Sequence, residues 1–268
     1  MSTKPPSDLI LNNLLYSCVY EKKRSNEQFV PEHTFGFMMA GETHLYTPDT
    51  RIIAEGTIGL VRRNQLVKAV KVPPTGGIFR SISIFLPQDL LRRYSAENNI
   101  TAGRPYTGDP LLFLAKDAFL EGYFNSLLPY FSQPSHFSKA LADLKTKEAI
   151  ELLLQHNYQL KDLLFDFNEP HKIDLEAFML QNYMFNVPVS RFASLTGRSV
   201  AGFKRDFEKI FKGPPGQWLT QKRLSEAYYL LKEKGRKPSD VYLDVGFENL
   251  SHFSFAFKKT YGVAPSLL

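Results

Sequence analysis

The chain has 268 residues, 43% of them hydrophobic, and a formal net charge of +6, a composition that suits a protein with two modest cores. It has no apolar run near the ~18 residues of a membrane-spanning helix and no apolar secretion signal at its start, so we expect a cytoplasmic protein without a membrane partner. Cys18 is the only cysteine, which excludes an intrachain disulfide and a cysteine-based zinc site, and we expect it to be a small buried hydrophobic residue in a reducing compartment.

Residues 1–105 are predicted to form β-structure. Short apolar runs recur at a spacing of roughly ten residues and are separated by turn residues such as Glu55-Gly56, Arg63-Asn64 and the run 73–77. The apolar runs are 35–40, 52–53, 57–61, 66–72 and 78–86. Many short strands at this spacing favour a sandwich or a small barrel.

The same region contains the candidate metal ligands His33 and His44. A metal site on such a fold needs closely grouped ligands, whereas these two histidines are eleven residues apart and the sequence has no His-x-His motif. The sequence also contains no phosphate-binding loop, no GxSxG nucleophile motif and no GxGxxG fingerprint. We therefore expect no resident metal, no cofactor and no catalysis.

Residues 109–167 are predicted to be helical. Leu112, Ala115, Phe119 and Tyr123 recur at helical spacing within 111–130, and further apolar stripes follow. The members of the later stripes are Leu141, Leu144, Ala149, Leu152, Leu153, Leu160, Leu163, Leu164 and Phe167. Because proline disfavours helix at the residue before it, the run Asn168-Glu169-Pro170-His171 is predicted to join two domains, 1–167 and 168–268.

A pattern of aromatic, lysine and proline residues occurs twice near the end of the chain, with an offset of fifty residues. Phe203, Phe207, Lys209, Phe211 and Pro215 recur as Phe253, Phe257, Lys259, Tyr261 and Pro265. Each copy follows a short helical segment, 189–195 or 238–244, and a glycine-containing turn, 196–199 or 245–247. A helix, a turn and a longer amphipathic helix form a helix-turn-helix, so the sequence predicts two such units.

Helical spacing predicts which face of each longer helix packs on the core. The residues predicted to point inward are Val200, Phe203, Phe207 and Ile210 in the first unit, and Phe253 and Phe257 in the second. The residues left on a second face are Ala201, Lys204, Arg205 and Glu208, and then Ser251, Ser254, Phe255 and Lys258. A solvated face would explain Lys204 and Arg205 in a lone helix, but the duplicated frame favours a surface that faces DNA.

Residues 172–268 resemble the DNA-binding region of AraC/XylS-type transcription regulators. The residues that carry the resemblance are Leu195-Thr196-Gly197-Arg198-Ser199, the run 203–207, Trp218-Leu219, Arg223-Leu224, Ala227, the runs 244–247, 251–253 and 257–262, and Pro265. The resemblance implies two helix-turn-helix units joined by a central helix at about 216–234. Short motifs at 32–36, 41–42 and 55–60 resemble the cupin-like sensor half of the same family. The expected fold class is therefore α+β with two domains: an N-terminal cupin-like β barrel with following helices, and a C-terminal all-α domain.

The resemblance also implies the DNA-binding residues. The positions that face bases in the family correspond here to Ala201, Lys204 and Arg205, and to Leu250, Ser251, Ser254 and Phe255. The expected set is completed by Arg198, Ser199, Lys209, Lys258 and Lys259. Two positions depart from the family pattern: Phe255 stands where a polar residue is common, and Tyr242 where alanine is common. A phenylalanine cannot hydrogen-bond a base edge, although it can pack on a thymine methyl.

The distribution of charge supports a polyanionic partner for the C-terminal half. Residues 171–268 hold 15 Lys and Arg against 9 Asp and Glu, whereas residues 1–170 hold 18 of each. Basic segments gain affinity for DNA because the neutralised phosphates release condensed counterions. The resemblance implies double-stranded promoter DNA and RNA polymerase as partners, and a homodimer formed through the helices of 109–167.

We therefore expect a sequence-specific transcription regulator that acts as an activator and whose N-terminal domain senses an effector. That effector is a small molecule or a regulatory protein, since relatives use both. An alternative from another class is a DNA-repair protein that pairs such modules with alkyl transfer. Alkyl transfer needs a reactive cysteine, which the single Cys18 makes a poor fit.

Overall fold

The computed structural model describes residues 8–24, 28–46, 50–168 and 171–268, and it divides into two compact units, Met1–Asn168 and Glu169–Leu268. The start of the chain, where no secretion signal is expected, lies outside the described residues, as do Glu169 and Pro170 at the centre of the predicted joint. Within the described ranges, no helix has both the length and the apolar character needed to cross a membrane.

The first unit opens with short strands whose side chains alternate between the two faces of a sheet. In the described residues these strands are β1 (Asp8–Leu11), β2 (Leu14–Val19), β3 (Lys23–Arg24), β4 (Phe29–Val30), β5 (His33–Ala40), β6 (Glu42–Tyr46), β7 (Thr50–Ile53), β8 (Ile58–Val61), β9 (Gln65–Leu66), β10 (Lys68–Val72), β11 (Phe79–Leu86) and β12 (Leu111–Leu114). Cys18 in β2 is buried, which confirms the prediction for its side chain.

The strands pair in three sheets, with the orders β1-β2-β11-β5-β8-β12, β3-β10-β6-β7 and β4-β9. One face of the six-stranded sheet is apolar: Phe35 of β5 pairs with Ile84 and Leu60, and all three side chains are fully buried. The next residue, Gly36, points to the opposite face, where its partners in register are Ser83 and Gly59.

The expected closed barrel is not what the strands form. Among the described residues no pairing joins the edge strands β1 and β12 of the six-stranded sheet, and the four-stranded sheet has its own edges at β3 and β7. The arrangement is an open sandwich, which was the other architecture that the strand spacing favoured. Side chains hold the two larger sheets together, because Leu45 and Val67 meet Leu111 in one small cluster, and Ile53 meets Met38 in another.

Helices cover the apolar face of the six-stranded sheet. They are α1 (Gln88–Asn98), α2 (Ala118–Ser132), α3 (Lys139–His156) and α4 (Lys161–Leu164). Phe124 of α2 packs on Phe35 with ring centroids 4.7 Å apart, and Leu153 of α3 belongs to the same core. The side chain of Asp117 caps α2 by accepting from the Phe119 N–H, which satisfies a backbone donor that the first helical turn leaves free.

Two secondary-structure predictions for this unit are wrong in detail. Residues 111–114 form β12 because they pair with β8, and the helix starts only after the Asp117 cap, so Leu112 and Ala115 are not helical. Helix α1 lies inside the region that was predicted to be entirely β. Two members of the apolar stripes also lie on the surface, since Phe119 is 76% exposed and Leu144 is 63% exposed.

The second unit is helical throughout its regular elements. They are α5 (Leu175–Asn182), α6 (Val189–Leu195), α7 (Val200–Phe211), α8 (Pro215–Lys232), α9 (Pro238–Asp244) and α10 (Leu250–Tyr261). The pairs α6–α7 and α9–α10 coincide with the two predicted helix-turn-helix units, and α8 is the predicted central helix. Helix α5 precedes them and was not predicted.

The repeated phenylalanines form the cores of the two helix-turn-helix units. Phe203, Phe207, Phe253 and Phe257 are fully buried, as their spacing predicts. Val200 and Ile210 are more than a third exposed, however, so the prediction that they face the core is wrong. They lie in the first and last turns of α7, on either side of the line that Phe203 and Phe207 form along the helix. The covered part of the stripe is therefore narrower than the spacing predicts.

Candidate nucleic-acid interface

The turn between α6 and α7 is built by three residues with separate tasks. Gly197 has φ +65°, and a side chain there would lie 2.4 Å from the backbone of His171, so only glycine fits. The hydroxyl of Thr196, which is buried, donates to the backbone carbonyls of α6. The Ser199 Oγ accepts from the Gly202 N–H at 3.1 Å and so begins α7.

The turn between α9 and α10 solves the same problem with different residues. Gly246 has φ +94°, and a side chain there would lie 2.5 Å from the Met184 carbonyl oxygen. Asn249 caps α10 by accepting from the N–H groups of Ser251 and His252, at 2.8 and 3.1 Å. Both longer helices are thus fixed at their N-terminal ends, which is the end that a recognition helix presents to base edges.

The outer stripe of α7 carries the positive charge of the first helix-turn-helix. Ala201, Lys204, Arg205 and Lys209 are all exposed. The Arg205 side chain is 71% exposed and its Nε lies 3.7 Å from Asp206 Oδ1, a weak surface pair that leaves the guanidinium available to a partner. A guanidinium can give two parallel hydrogen bonds to a guanine edge or to a phosphate.

The outer stripe of α10 differs in chemistry. Leu250, Ser251, Phe255, Lys258 and Lys259 are exposed, and Ser254 is half-buried. Phe255 is 70% exposed although Phe253 and Phe257, on either side of it in sequence, are fully buried. The second helix therefore presents an aromatic ring and small hydroxyls, with lysines in its last turn.

Arg198 is a predicted site residue that the structure places among protein acceptors. Its side chain is only 9% exposed; its Nε donates to Asp206 Oδ2 at 3.2 Å, and its Nη1 donates to the carbonyls of Ile173 and Thr196. Hydrogen bonds from Arg198 and Lys172 lower the pKa of Asp206 below its usual range. This network ties the turn to α7.

Arg223 of α8 is a functional candidate that the motif alone did not explain. Its Nε and Nη2 donate to the carbonyls of Tyr183 and Phe185, each at 2.8 Å, and burial lowers the pKa of Arg223 to about 10. The side chain therefore stays charged at neutral pH and fixes the segment after α5 against α8. Its place in the matched motif is accounted for by this structural task.

A cavity of about 230 Å³ lies between the six-stranded and four-stranded sheets of the first unit. Gly36, Gly59 and Ser83 lie side by side in register along one wall, and the space exists there because none of them projects a large side chain. The rest of the lining is mainly apolar, and Lys71 supplies a cation whose Nζ donates to Ser17 Oγ at 2.7 Å and Asp8 Oδ1 at 3.0 Å. A mainly apolar lining with one convergent cation is the kind of chemistry that small-molecule sites present.

The two histidines of this unit have separate surroundings. His33 is buried and its Nδ1 accepts from the Arg63 N–H at 3.3 Å; burial, and then the charges of Arg63 and Arg62, lower its pKa to about 3. The His44 Nε2 lies 2.6 Å from Glu42 Oε1. In the ranges that the structure describes, no group of three or more His, Cys, Asp or Glu side chains could hold a metal ion.

Comparisons with known proteins cover both units. A family model described as a helix-turn-helix domain matches residues 192–268, and a model described as the ExsA N-terminal regulatory domain matches residues 33–164. The thermoregulatory protein LcrF of Yersinia pestis is 26% identical over 196 residues, which are 72% of this chain and 69% of that protein. The transcriptional regulator ExsA of Pseudomonas aeruginosa is 23% identical over 234 residues, which are 85% of this chain and 83% of that protein.

Among solved structures, ToxT from Vibrio cholerae is similar over 96% of this chain and 97% of its own, with a TM-score of 0.42 and 13% identity. The two family models lie on the two units of the structure in the order in which the sequence presents them, with the regulatory model first.

Proposed function

This chain is a member of the AraC/XylS family of DNA-binding transcription regulators, and we propose that it activates promoters by placing α7 and α10 in two successive segments of the major groove. The observation that carries the proposal is the duplicated helix pair, in which each longer helix buries its phenylalanines and exposes the opposite stripe. Relatives are named as transcriptional activators, among them VirF of Yersinia enterocolitica, which supports activation as the outcome. RNA polymerase is the partner that activation requires.

Within the first helix-turn-helix we assign base reading to Lys204 and Arg205, and we place Ala201 close to the bases. Lys209 is assigned to phosphates. For Arg198, whose donors already serve Asp206 and backbone carbonyls, we propose a positioning role for the turn in place of a DNA contact. Ser199 has the same kind of role as the cap of α7, with its exposed position also allowing a phosphate contact.

Within the second helix-turn-helix we assign base contacts to Leu250, Ser251, Ser254 and Phe255, and phosphate contacts to Lys258 and Lys259. The alternative of DNA repair by alkyl transfer has no support, because the relatives are transcription regulators and Cys18 is buried in the sheet of the other unit. The proposed function includes no catalytic step. It places the protein in the cytoplasm, where bacterial relatives meet their promoters.

The N-terminal unit is the regulatory domain of this protein. We infer that it is a cupin-like sandwich whose cavity admits a small, mainly apolar effector, and that domains 1–167 and 168–268 separate sensing from DNA binding. The cavity supports a small molecule over a protein as the input, since a partner protein would need no internal space.

Single-round transcription tests activation and its input together. On a template with a site selected from random DNA, the full chain is expected to raise transcript yield with RNA polymerase, and small-molecule fractions of cell extract are expected to change that yield. Ser83→Leu fills the cavity and should keep promoter binding while losing the response to the fractions. A wild-type chain that binds the site but never changes transcript yield would refute activation; a response retained by Ser83→Leu would refute the cavity as the input site.

We also propose a homodimer formed through α2 and α3, because these helices expose Phe119 and Leu144. Exposed large apolar side chains on neighbouring elements are a feature of protein interfaces. Sedimentation of the full chain is expected to show a dimer, and Leu144→Glu is expected to give a monomer because it buries a charge in that interface.

The control for this prediction is Ile10→Glu. Ile10 is 65% exposed on β1, so the substitution adds the same charge at another apolar surface position of the same unit. A monomer for the wild-type chain at every concentration, or equal dissociation by both variants, would contradict the role of α2 and α3.

A further inference from the structure

The fifty-residue repeat places two chemically opposite side chains at the same position of the two recognition helices. Phe255 of α10 is the counterpart of Arg205 of α7, and both side chains are about 70% exposed, at 70% and 71%. Leu250 is likewise the counterpart of Val200, and both are about 40% exposed. The two helices thus present the same geometry with different recognition chemistry.

The ring of Phe255 is not needed by the core of its unit. Phe253 and Phe257 fill that core, with ring centroids 5.6 Å apart, and Phe257 continues to Tyr261 at 4.8 Å. Helix α10 is also fixed at its start by the Asn249 cap, independently of the outer stripe. An aromatic ring that is mostly in water contributes little to folding, whereas aromatic rings are enriched where a partner surface buries them.

The surroundings of the ring suit DNA as that partner. Lys258 and Lys259 are exposed in the last turn of α10, and the half of the chain that contains them holds the whole net charge of +6. Ser251 and Ser254 lie on the same stripe and are small, so they let the ring approach a groove floor. The apolar group that the major groove offers is the C5-methyl of thymine.

We propose that Phe255 and Leu250 make α10 a reader of thymine methyl groups, whereas Arg205 makes α7 a reader of guanine. This inference rests on the proposed function and deepens it, since it names the chemistry of each half of the DNA site. The site is therefore asymmetric: one half depends on guanine N7 and O6, and the other half, about one helical turn away, depends on thymine methyls.

Deoxyuridine substitution tests the proposal directly, because uracil differs from thymine only in lacking the methyl. A duplex is first selected from random DNA with the full chain, and thymines are then replaced by deoxyuridine in one half at a time. In the α10 half, the affinity of the wild-type chain is expected to fall about fourfold for each contacted methyl, the effect of removing one buried methyl-sized group. In the α7 half, the same replacement is expected to have a smaller effect, because Arg205 stands there in place of phenylalanine.

Variants assign the methyl contacts to residues. Phe255→Ala should lose most of the discrimination between thymine and deoxyuridine duplexes, and a double variant that also carries Leu250→Ala should lose all of it. Phe255→Leu should keep part of the discrimination, and Arg205→Ala should keep all of it. The reverse experiment uses 7-deazaguanine in the α7 half. This replacement should weaken DNA binding by the wild-type chain and by Phe255→Ala, but not by Arg205→Ala. Unchanged circular dichroism spectra check that each variant is folded.

The outcomes separate this inference from the proposed function. If the full chain selects no DNA sequence, the proposed function itself fails. If it selects a site but binds deoxyuridine duplexes as tightly as thymine duplexes, methyl reading is overturned and the regulator function stands. If Phe255→Ala keeps all of the discrimination, the ring does not read the methyl groups and the inference is also overturned; altered sedimentation of that variant would then assign the ring to a protein interface.

Discussion

Truncation of Phe257 to alanine is expected to unfold the second helix-turn-helix. The side chain is fully buried, and its ring lies between Phe253, Tyr261 and Tyr228, with centroids 5.6, 4.8 and 6.3 Å away. Removing a buried phenylalanine side chain costs about 3–5 kcal/mol, through lost transfer energy and the cavity left behind. A domain is ordinarily stable by only about 5–15 kcal/mol, so this loss leaves α10 poorly held on α9.

Thermal unfolding followed by circular dichroism measures the effect, and Phe255→Ala is the matched control. It removes the same side chain from the same helix, two residues away, but from an exposed position, where substitutions change stability by less than about 0.5 kcal/mol. Trp218, the only tryptophan, packs on Phe207 and Phe211, so its fluorescence reports whether the first helix-turn-helix stays folded. Equal melting temperatures for Phe257→Ala and Phe255→Ala would contradict the burial of Phe257 in the core of the second helix-turn-helix.

The second large effect concerns the first recognition helix. Arg205→Ala is expected to weaken specific DNA binding by about 1–3 kcal/mol, the value of a bidentate contact to a base. Stability should not change, because the side chain is exposed and its pair with Asp206 is long, at 3.7 Å. Fluorescence anisotropy with the selected duplex measures the affinity.

Two further variants separate base reading from charge. Arg205→Lys keeps the positive charge but loses the planar fork, so it should keep affinity for random DNA and lose preference for guanine. Lys222→Ala removes an exposed charge from α8 and should leave the preference for guanine unchanged. An Arg205→Ala chain with wild-type affinity for the selected duplex would refute the assignment of this residue.

The helical half of the fold could be predicted from sequence because its signals are local. The spacing of Phe203 and Phe207, and its repetition at Phe253 and Phe257, depends only on the helical period, so the buried positions followed. The helical period does not give the width of the buried stripe, however. Val200 and Ile210 lie at the edges of the stripe and are more than a third exposed.

The β half could be predicted less well because strand pairing is non-local. The run Leu111-Leu112-Phe113-Leu114 suits a helix or a strand, and its pairing with β8, some fifty residues earlier, decides for a strand. The cavity likewise depends on register, since Gly36 faces it next to Gly59 and Ser83 from two other strands. No single stretch of sequence contains that arrangement.

The candidate site shows the same division. The exposed stripes of α7 and α10 follow from helical geometry and could be expected. The inward turn of Arg198 could not, because its acceptors come from Asp206 and from Ile173, twenty-five residues away in sequence. A lone basic residue in a turn motif is equally compatible with DNA and with a buried network, and only the fold distinguishes them.

Hydroxyl-radical footprinting of the full chain on its selected duplex tests the two-helix account most directly. The wild-type chain is expected to protect two segments about one helical turn apart, one for each recognition helix. Arg205→Ala is expected to lose protection mainly in the guanine-containing segment, while the thymine-containing segment stays protected at higher protein concentration. A wild-type footprint confined to one segment, or an Arg205→Ala footprint identical to it, would contradict recognition by α7 and α10 together.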